Sequence, residues 1–132
     1  MKQTLFIAAI GAILALPSMA DPVLGLWKTI PDDNGRTGHI EVKQCGDKIC
    51  GEIIASFEAD GKKYKSENLG KNIVWDMISY GNGKYGGGKI WSPDRDKTYS
   101  SKMELVNGGN SLKVKGCVAI ICRDGGTWSR VN

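Results

Sequence analysis

Several things are scarce in this chain, and each scarcity removes a class of protein. No stretch carries the apolar i, i+3, i+4 repeat of an amphipathic helix, which argues against helical bundles and alternating helix-strand folds. Beyond residue 20 no apolar run approaches the roughly 20 residues that a membrane-crossing helix needs, so no transmembrane segment is expected after it. Histidine occurs once, as His39, whose place in an alternating run puts it on a polar, solvated face. Ser100-Ser101 lacks a Gly-x-Ser-x-Gly setting and a positioned base. Gly86-Gly87-Gly88 is followed by no Lys-Ser/Thr pair and no helix, so it is not a phosphate loop. Basic residues outnumber acidic ones by 18 to 14, but the excess is spread along the chain, with Lys62-Lys63-Tyr64-Lys65 its densest run. No basic stripe or nucleic-acid motif stands out, so nucleic acid is not an expected partner; scattered lysines of this kind mainly maintain solubility.

What is present begins with an address. Lys2 supplies a positive start, Leu5 to Leu16 is an uncharged apolar run, and Pro17-Ser18-Met19-Ala20 places small residues before Asp21. This is the pattern of a secretory signal peptide cleaved after Ala20. The mature protein, residues 21–132, is expected to be a single domain, exported to the periplasm or secreted. No cysteine stands immediately after the cleavage site, which argues against a lipid anchor.

All four cysteines, Cys45, Cys50, Cys117 and Cys122, fall in the mature part. An even count in an exported chain reads as two disulfides, with three connectivities to choose among. The shared Cys-x4-Cys spacing favours local pairing, 45–50 and 117–122, each worth about 2 kcal/mol in the chain-entropy model. A long-range pair such as 45–117 would give about 4 kcal/mol by the same model, so energy alone does not decide. Zinc is disfavoured by the spacing and by the oxidising compartment. No metal or cofactor is expected.

Short alternating runs separated by Gly, Asn and Asp clusters predict an antiparallel all-β protein. Strands are expected over 24–29, 39–44, 49–57, 73–80, 84–91, 98–106, 112–116 and 127–131. Turns are expected at 31–35, 59–62, 81–83, 92–96 and 107–110, rich in the residues that tolerate positive φ or cap their own backbone. The three glycines at 86–88 predict a bulge, a sharp bend or a close backbone approach. The polar segment 63–71 reads as a loop over one barrel end. About eight strands with no helix to cover a flat sheet favour closure into a barrel, which also removes exposed edges. An eight-stranded barrel is either filled by side chains or holds one small ligand.

Gly25-Leu26-Trp27 on the first strand resembles the start of lipocalin-like (calycin-type) barrels. In that family the tryptophan plugs one end and stacks beneath an arginine of the last strand. The resemblance assigns structural roles to Gly25, Trp27 and Arg130. A longer series is more specific: the opening 21–30, Cys45-Gly-Asp-Lys-Ile-Cys-Gly-Glu-Ile53, Gly87-Gly-Lys-Ile-Trp-Ser-Pro-Asp94, Lys97-Thr-Tyr-Ser100, Leu112-Lys-Val-Lys-Gly116 and Thr127-Trp-Ser-Arg-Val131. In this order the segments resemble the DUF2147 family of small exported bacterial proteins across the whole mature chain. The resemblance implies a lipocalin-like fold and carries no established activity.

For function, the leading expectation is a binding protein that holds a small apolar ligand, with Phe57, Trp75, Tyr80, Trp91 and Tyr99 as pocket candidates. Each of these aromatics could equally be ordinary core filling. The alternative is an envelope protein-interaction module, such as a protease inhibitor or accessory protein, with a solid barrel and a periplasmic protein partner. An enzyme is the weakest reading; it would require Glu52 or Asp76 to converge with Tyr99, and no catalytic residue is assigned. The acidic pairs Asp32-Asp33 and Asp94-x-Asp96 are read as turn residues rather than a calcium site.

Overall fold

The computed structural model describes residues 20–132; residues 1–19 of the expected signal peptide lie outside the described residues. The strands are β1 (Gly25–Lys28), β2 (Thr37–Cys45), β3 (Lys48–Phe57), β4 (Lys63–Tyr64), β5 (Asn72–Gly81), β6 (Lys84–Ser92), β7 (Lys97–Val106), β8 (Ser111–Val118) and β9 (Ile121–Arg130). All pairings are antiparallel. β9 returns to pair with β1, Trp27 opposite Arg130, and this closes an eight-stranded barrel. β4 is a short addition at the end of β3, Ser56 opposite Tyr64. No described helix is long and apolar enough to cross a membrane.

Alternation decides what lies inside. Ile40 and Val42, Ile49 and Ile53, Val74 and Met77, Leu112 and Val114 all point inward and are almost fully buried, as are Tyr85, Met103 and Trp128. Lys102, Lys113 and Lys115 occupy the intervening outward positions. Each large apolar side chain so buried contributes about 1.5–3 kcal/mol against an exposed reference. Two glycines make room for this core. A Cβ at Gly51 would lie 2.8 Å from Ile40 and 2.9 Å from Val74. A Cβ at Gly88 would run into the backbone of Trp75 and Met77, and the register of β6 against β7 shifts between Tyr85 and Gly88. The triple glycine thus carries both an irregularity in the ladder and a close strand approach.

Both disulfides are local, Cys45–Cys50 across the β2–β3 hairpin and Cys117–Cys122 across the β8–β9 hairpin. The second hairpin corrects the sequence reading. The last strand begins at Ile121, not near Thr127, and runs through Gly125-Gly126 with a register shift between Lys113 and Lys115. Paired glycines read as a break; here they are carried inside the strand as an irregularity.

The up-and-down order gives the barrel two different ends. At one end lie residues 21–24, the turns between β2 and β3, β5 and β6, and β7 and β8, and the end of β9. At the other lie the connections 29–36, 58–71, 93–96 and 119–120.

Candidate functional site

The first end is sealed. Trp27 is fully buried and its indole N–H donates to the Val23 carbonyl at 2.9 Å. The Arg130 guanidinium lies 4.2 Å from the centre of the Trp27 ring. That guanidinium also donates to the carbonyls of Gly109 (2.9 Å), Leu24 (3.1 Å) and Pro22 (2.6 Å), tying three chain segments together. Gly25 explains why Trp27 is preceded by a glycine two positions earlier. Its φ is +134°, and a Cβ there would sit 2.8 Å from an Arg130 nitrogen. Beneath the plug, the Tyr85 hydroxyl donates to Asp21; burial and this neighbouring carboxylate push the phenol well above its ordinary pKa.

The second end is open. A cavity of about 750 Å³ enters the barrel there. Its inner wall is apolar, made by Ile40, Ile53, Ile73, Ile90, Tyr99 and Trp128. Gly116 belongs to this wall, and its missing side chain leaves space beside Tyr99 and Ile90, whose atoms lie 3.5 and 3.6 Å from where a Cβ would stand. The mouth is polar. Tyr64, Ser66 and Asn68 from the 58–71 connection line one side, so that connection does lie over this end.

The same mouth brings together the two acidic turns that the sequence held apart. Asp32 accepts the backbone N–H groups of Asn34 (2.8 Å) and Arg36 (2.9 Å), an Asx-type turn. Asp94 approaches this loop from the β6–β7 turn. Partial burial and the charges of Asp32 and Asp33 raise its pKa above the ordinary carboxylate value, and a hydrogen bond from the Asp33 backbone offsets part of the rise. Arg36 is held by Glu58 at 3.0 Å and lies 5.1 Å from the centre of the Tyr64 ring. Among the described residues no group of three or more His, Cys, Asp or Glu is arranged to hold a metal ion.

Of the five aromatic candidates, Trp91 and Tyr99 line the cavity and Phe57, Trp75 and Tyr80 do not. Tyr99 is paired with Ile90, which faces inward. Trp91 stands at the rim, its N–H donating to Asp96 at 3.0 Å with the Lys71 ammonium 5.3 Å from its ring centre. Phe57 packs at 4.6 Å against the half-buried His39, whose pKa is lowered by burial and by Lys28 and Lys63. Trp75 follows the inward Val74, and Tyr80 is 64% exposed, lying over Gly86. The isoleucines of the cavity wall were not singled out in the sequence; Ile40, Ile53 and Ile90 sit at inward positions of alternating strands, where alternation was the available signal, whereas Ile73 adjoins the inward Val74 where the β3–β5 register shifts.

The residues considered for catalysis are not assembled. Glu52 faces outward and takes the Lys43 ammonium at 2.6 Å, while Tyr99 faces the interior. Asp76 is exposed at a positive-φ position (57°) on β5.

A barrel of eight antiparallel strands, closed at one end by a Trp–Arg plug and open at the other, is a lipocalin-like architecture. A solved structure of similar fold is protein HP1028 from the human pathogen Helicobacter pylori, described as belonging to the lipocalin family. The two share 19% identity over 83% of each chain, with a TM-score of 0.62. No curated protein matches the chain. The profile of DUF2147, described as an uncharacterized protein conserved in bacteria, matches residues 25–130, and the chain belongs to that family.

Proposed function

We propose that this protein is an exported carrier that holds a small, largely apolar ligand in the cavity at the open end of its barrel. The observation that carries this reading is the cavity itself: about 750 Å³, with an apolar wall and a polar mouth. Ligand sites commonly enclose roughly 300–1,000 Å³ and combine apolar walls with a few polar groups that fix orientation. A ligand here would cover apolar surface of Ile73, Ile90 and Tyr99, over a floor of the nearly fully buried Ile40, Ile53 and Trp128, at about 2.5 kcal/mol per 100 Å² removed from water. Tyr64, Ser66 and Asn68 offer hydrogen bonds at the mouth. The local disulfides are compatible with an oxidising compartment, and the signal-peptide pattern supports export.

The interaction-module alternative called for a filled barrel, and the open interior favours the carrier over it. The test is mass spectrometry of the mature protein purified from the periplasm, under native conditions and after solvent extraction. A small molecule at near-stoichiometric amount supports the carrier and names the ligand class. A clean apo mass, together with no saturable uptake of an environment-sensitive apolar dye, overturns it.

A further inference from the structure

The tip of the β8–β9 hairpin is apolar and bare. Between Cys117 and Cys122 the chain reads Val118-Ala119-Ile120-Ile121, with Val118 65%, Ile120 96% and Ile121 66% exposed. Turn tips are ordinarily polar, and Ala119 adopts a positive φ of 54° to make this one. The disulfide holds the base of the hairpin, so the tip is presented in a fixed shape. Ile30, also well exposed, lies against Gly126 on the same rim. Val118 and Ile121 border the cavity mouth.

The flank beside this tip is basic. On the outer face of β6, β7 and β8, Lys102 stands directly opposite Lys115, and nearer the sealed end Lys84 and Lys113 stand on either side of Glu104. Lys89 lies further along β6. All five lysines are exposed, and none takes part in an ion pair among the described residues. Like charges directly across a ladder destabilise a sheet, and Asp124, opposite Lys115 on β9, offsets part of that cost at the Lys102–Lys115 rung. Lys115 is three residues from Val118, about 10 Å along a strand at about 3.3 Å per residue.

An exposed apolar projection beside a lysine-rich face fits a bilayer with anionic headgroups. We propose that the tip 118–121 inserts into the interface of an anionic membrane while Lys89, Lys102 and Lys115 lie near its headgroups. The docked barrel turns its cavity mouth toward the lipid, so an apolar ligand would pass between membrane and cavity with little exposure to water. The docking itself stands on the tip and the lysine face; only the ligand transfer rests on the carrier reading.

Flotation of the mature protein tests the docking. It should rise with vesicles of phosphatidylethanolamine and phosphatidylglycerol, and stay behind with vesicles of phosphatidylcholine alone. Ile120 is outside the cavity wall and nearly fully exposed, so Ile120→Asp leaves the core untouched; Ile120→Ser serves if that variant fails to fold. Either Ile120→Asp or the pair Lys102→Glu and Lys115→Glu should lower partitioning by about tenfold, and high salt should do the same. Wild-type protein that stays unbound at lipid excess, or an Ile120→Asp variant that floats like wild type, overturns the proposal. Retention by an envelope protein without vesicle binding does so too, and assigns the patch to a protein partner. Uptake of the apolar dye, measured without vesicles, reports on the carrier reading separately: Ile120→Asp should keep it whether or not it floats.

Discussion

The two ends of this barrel solve opposite problems with the same strands. At the sealed end, three carbonyls from two chain segments converge on one guanidinium, and a fully buried indole fills the interior. At the open end, the loops carry charge, the wall residues stop short of one another, and about 750 Å³ stays unfilled. Side chains interlock at one end and leave space at the other; on the carrier proposal, recognition falls to the open end. Local stability is uneven in folded proteins, and binding regions are drawn from its lower part.

The largest effect should come from breaking the seal. Trp27→Ala removes a fully buried indole and should cost about 3–5 kcal/mol in urea unfolding. Arg130→Lys should recover little of what Arg130→Ala loses, because a single ammonium cannot stack on the ring and reach three carbonyls at once. If Trp27→Ala unfolds at the wild-type midpoint, the sealed end is not the stable half and the comparison fails.

The disulfides sharpen the contrast, because there is one at each end with the same separation of 5 residues. Chain entropy alone predicts equal losses, about 2 kcal/mol for each pair replaced by serine. Any inequality then reports the structure around each bond. Loss of Cys117–Cys122 should also weaken vesicle flotation, since it frees the hairpin tip, whereas loss of Cys45–Cys50 should leave flotation unchanged.

A third variant acts on the open end alone. Gly116→Leu places a side chain where the cavity wall has none, with ordinary van der Waals spacing to Tyr99 and Ile90. Dye uptake should fall by about tenfold, equivalent to about 1.4 kcal/mol of binding, while the unfolding midpoint moves much less than for Trp27→Ala. Undiminished uptake would mean that the dye binds elsewhere.

The barrel was legible in the sequence because its signals are local. Alternation at Ile40–Val42 and Leu112–Val114, turn chemistry at Gly81-Asn82-Gly83, and the Gly-x-Trp opening each depend on a few neighbouring residues. The cavity was less legible because its wall depends on parity and register. Trp75 and Tyr80 are aromatic and lie on the expected strand, but Val74 and Met77 take the inward positions, and the positive-φ Asp76 between them changes the alternation. Register also shifts in β2 between His39 and Ile40. Such irregularities re-aim side chains without a strong sequence mark. Aromatic character therefore pointed to five residues of which two line the cavity, while the isoleucines that form most of its wall looked like ordinary core.

The smallest effect should separate the ends by charge. Asp94 sits at the open mouth with its carboxyl pKa raised above 3.8, chiefly by partial burial and then by Asp32 and Asp33. A raised carboxyl binds its proton more tightly in the folded than in the unfolded state. The stability tied to that proton is present below pH 3.8 and lost as pH rises through the folded value. At neutral pH the ionised Asp94 therefore opposes folding, and Asp94→Asn should raise the unfolding free energy measured in urea by no more than about 0.5 kcal/mol, the usual limit for a surface change. Below pH 3.8 the two proteins should unfold alike. No equivalent gain is available at the sealed end, where the Arg130 charge is fully used by its three carbonyls and the Trp27 ring. A destabilised Asp94→Asn at neutral pH would mean that the Asp33 backbone bond outweighs the repulsion, and that the open mouth is held together by its charges.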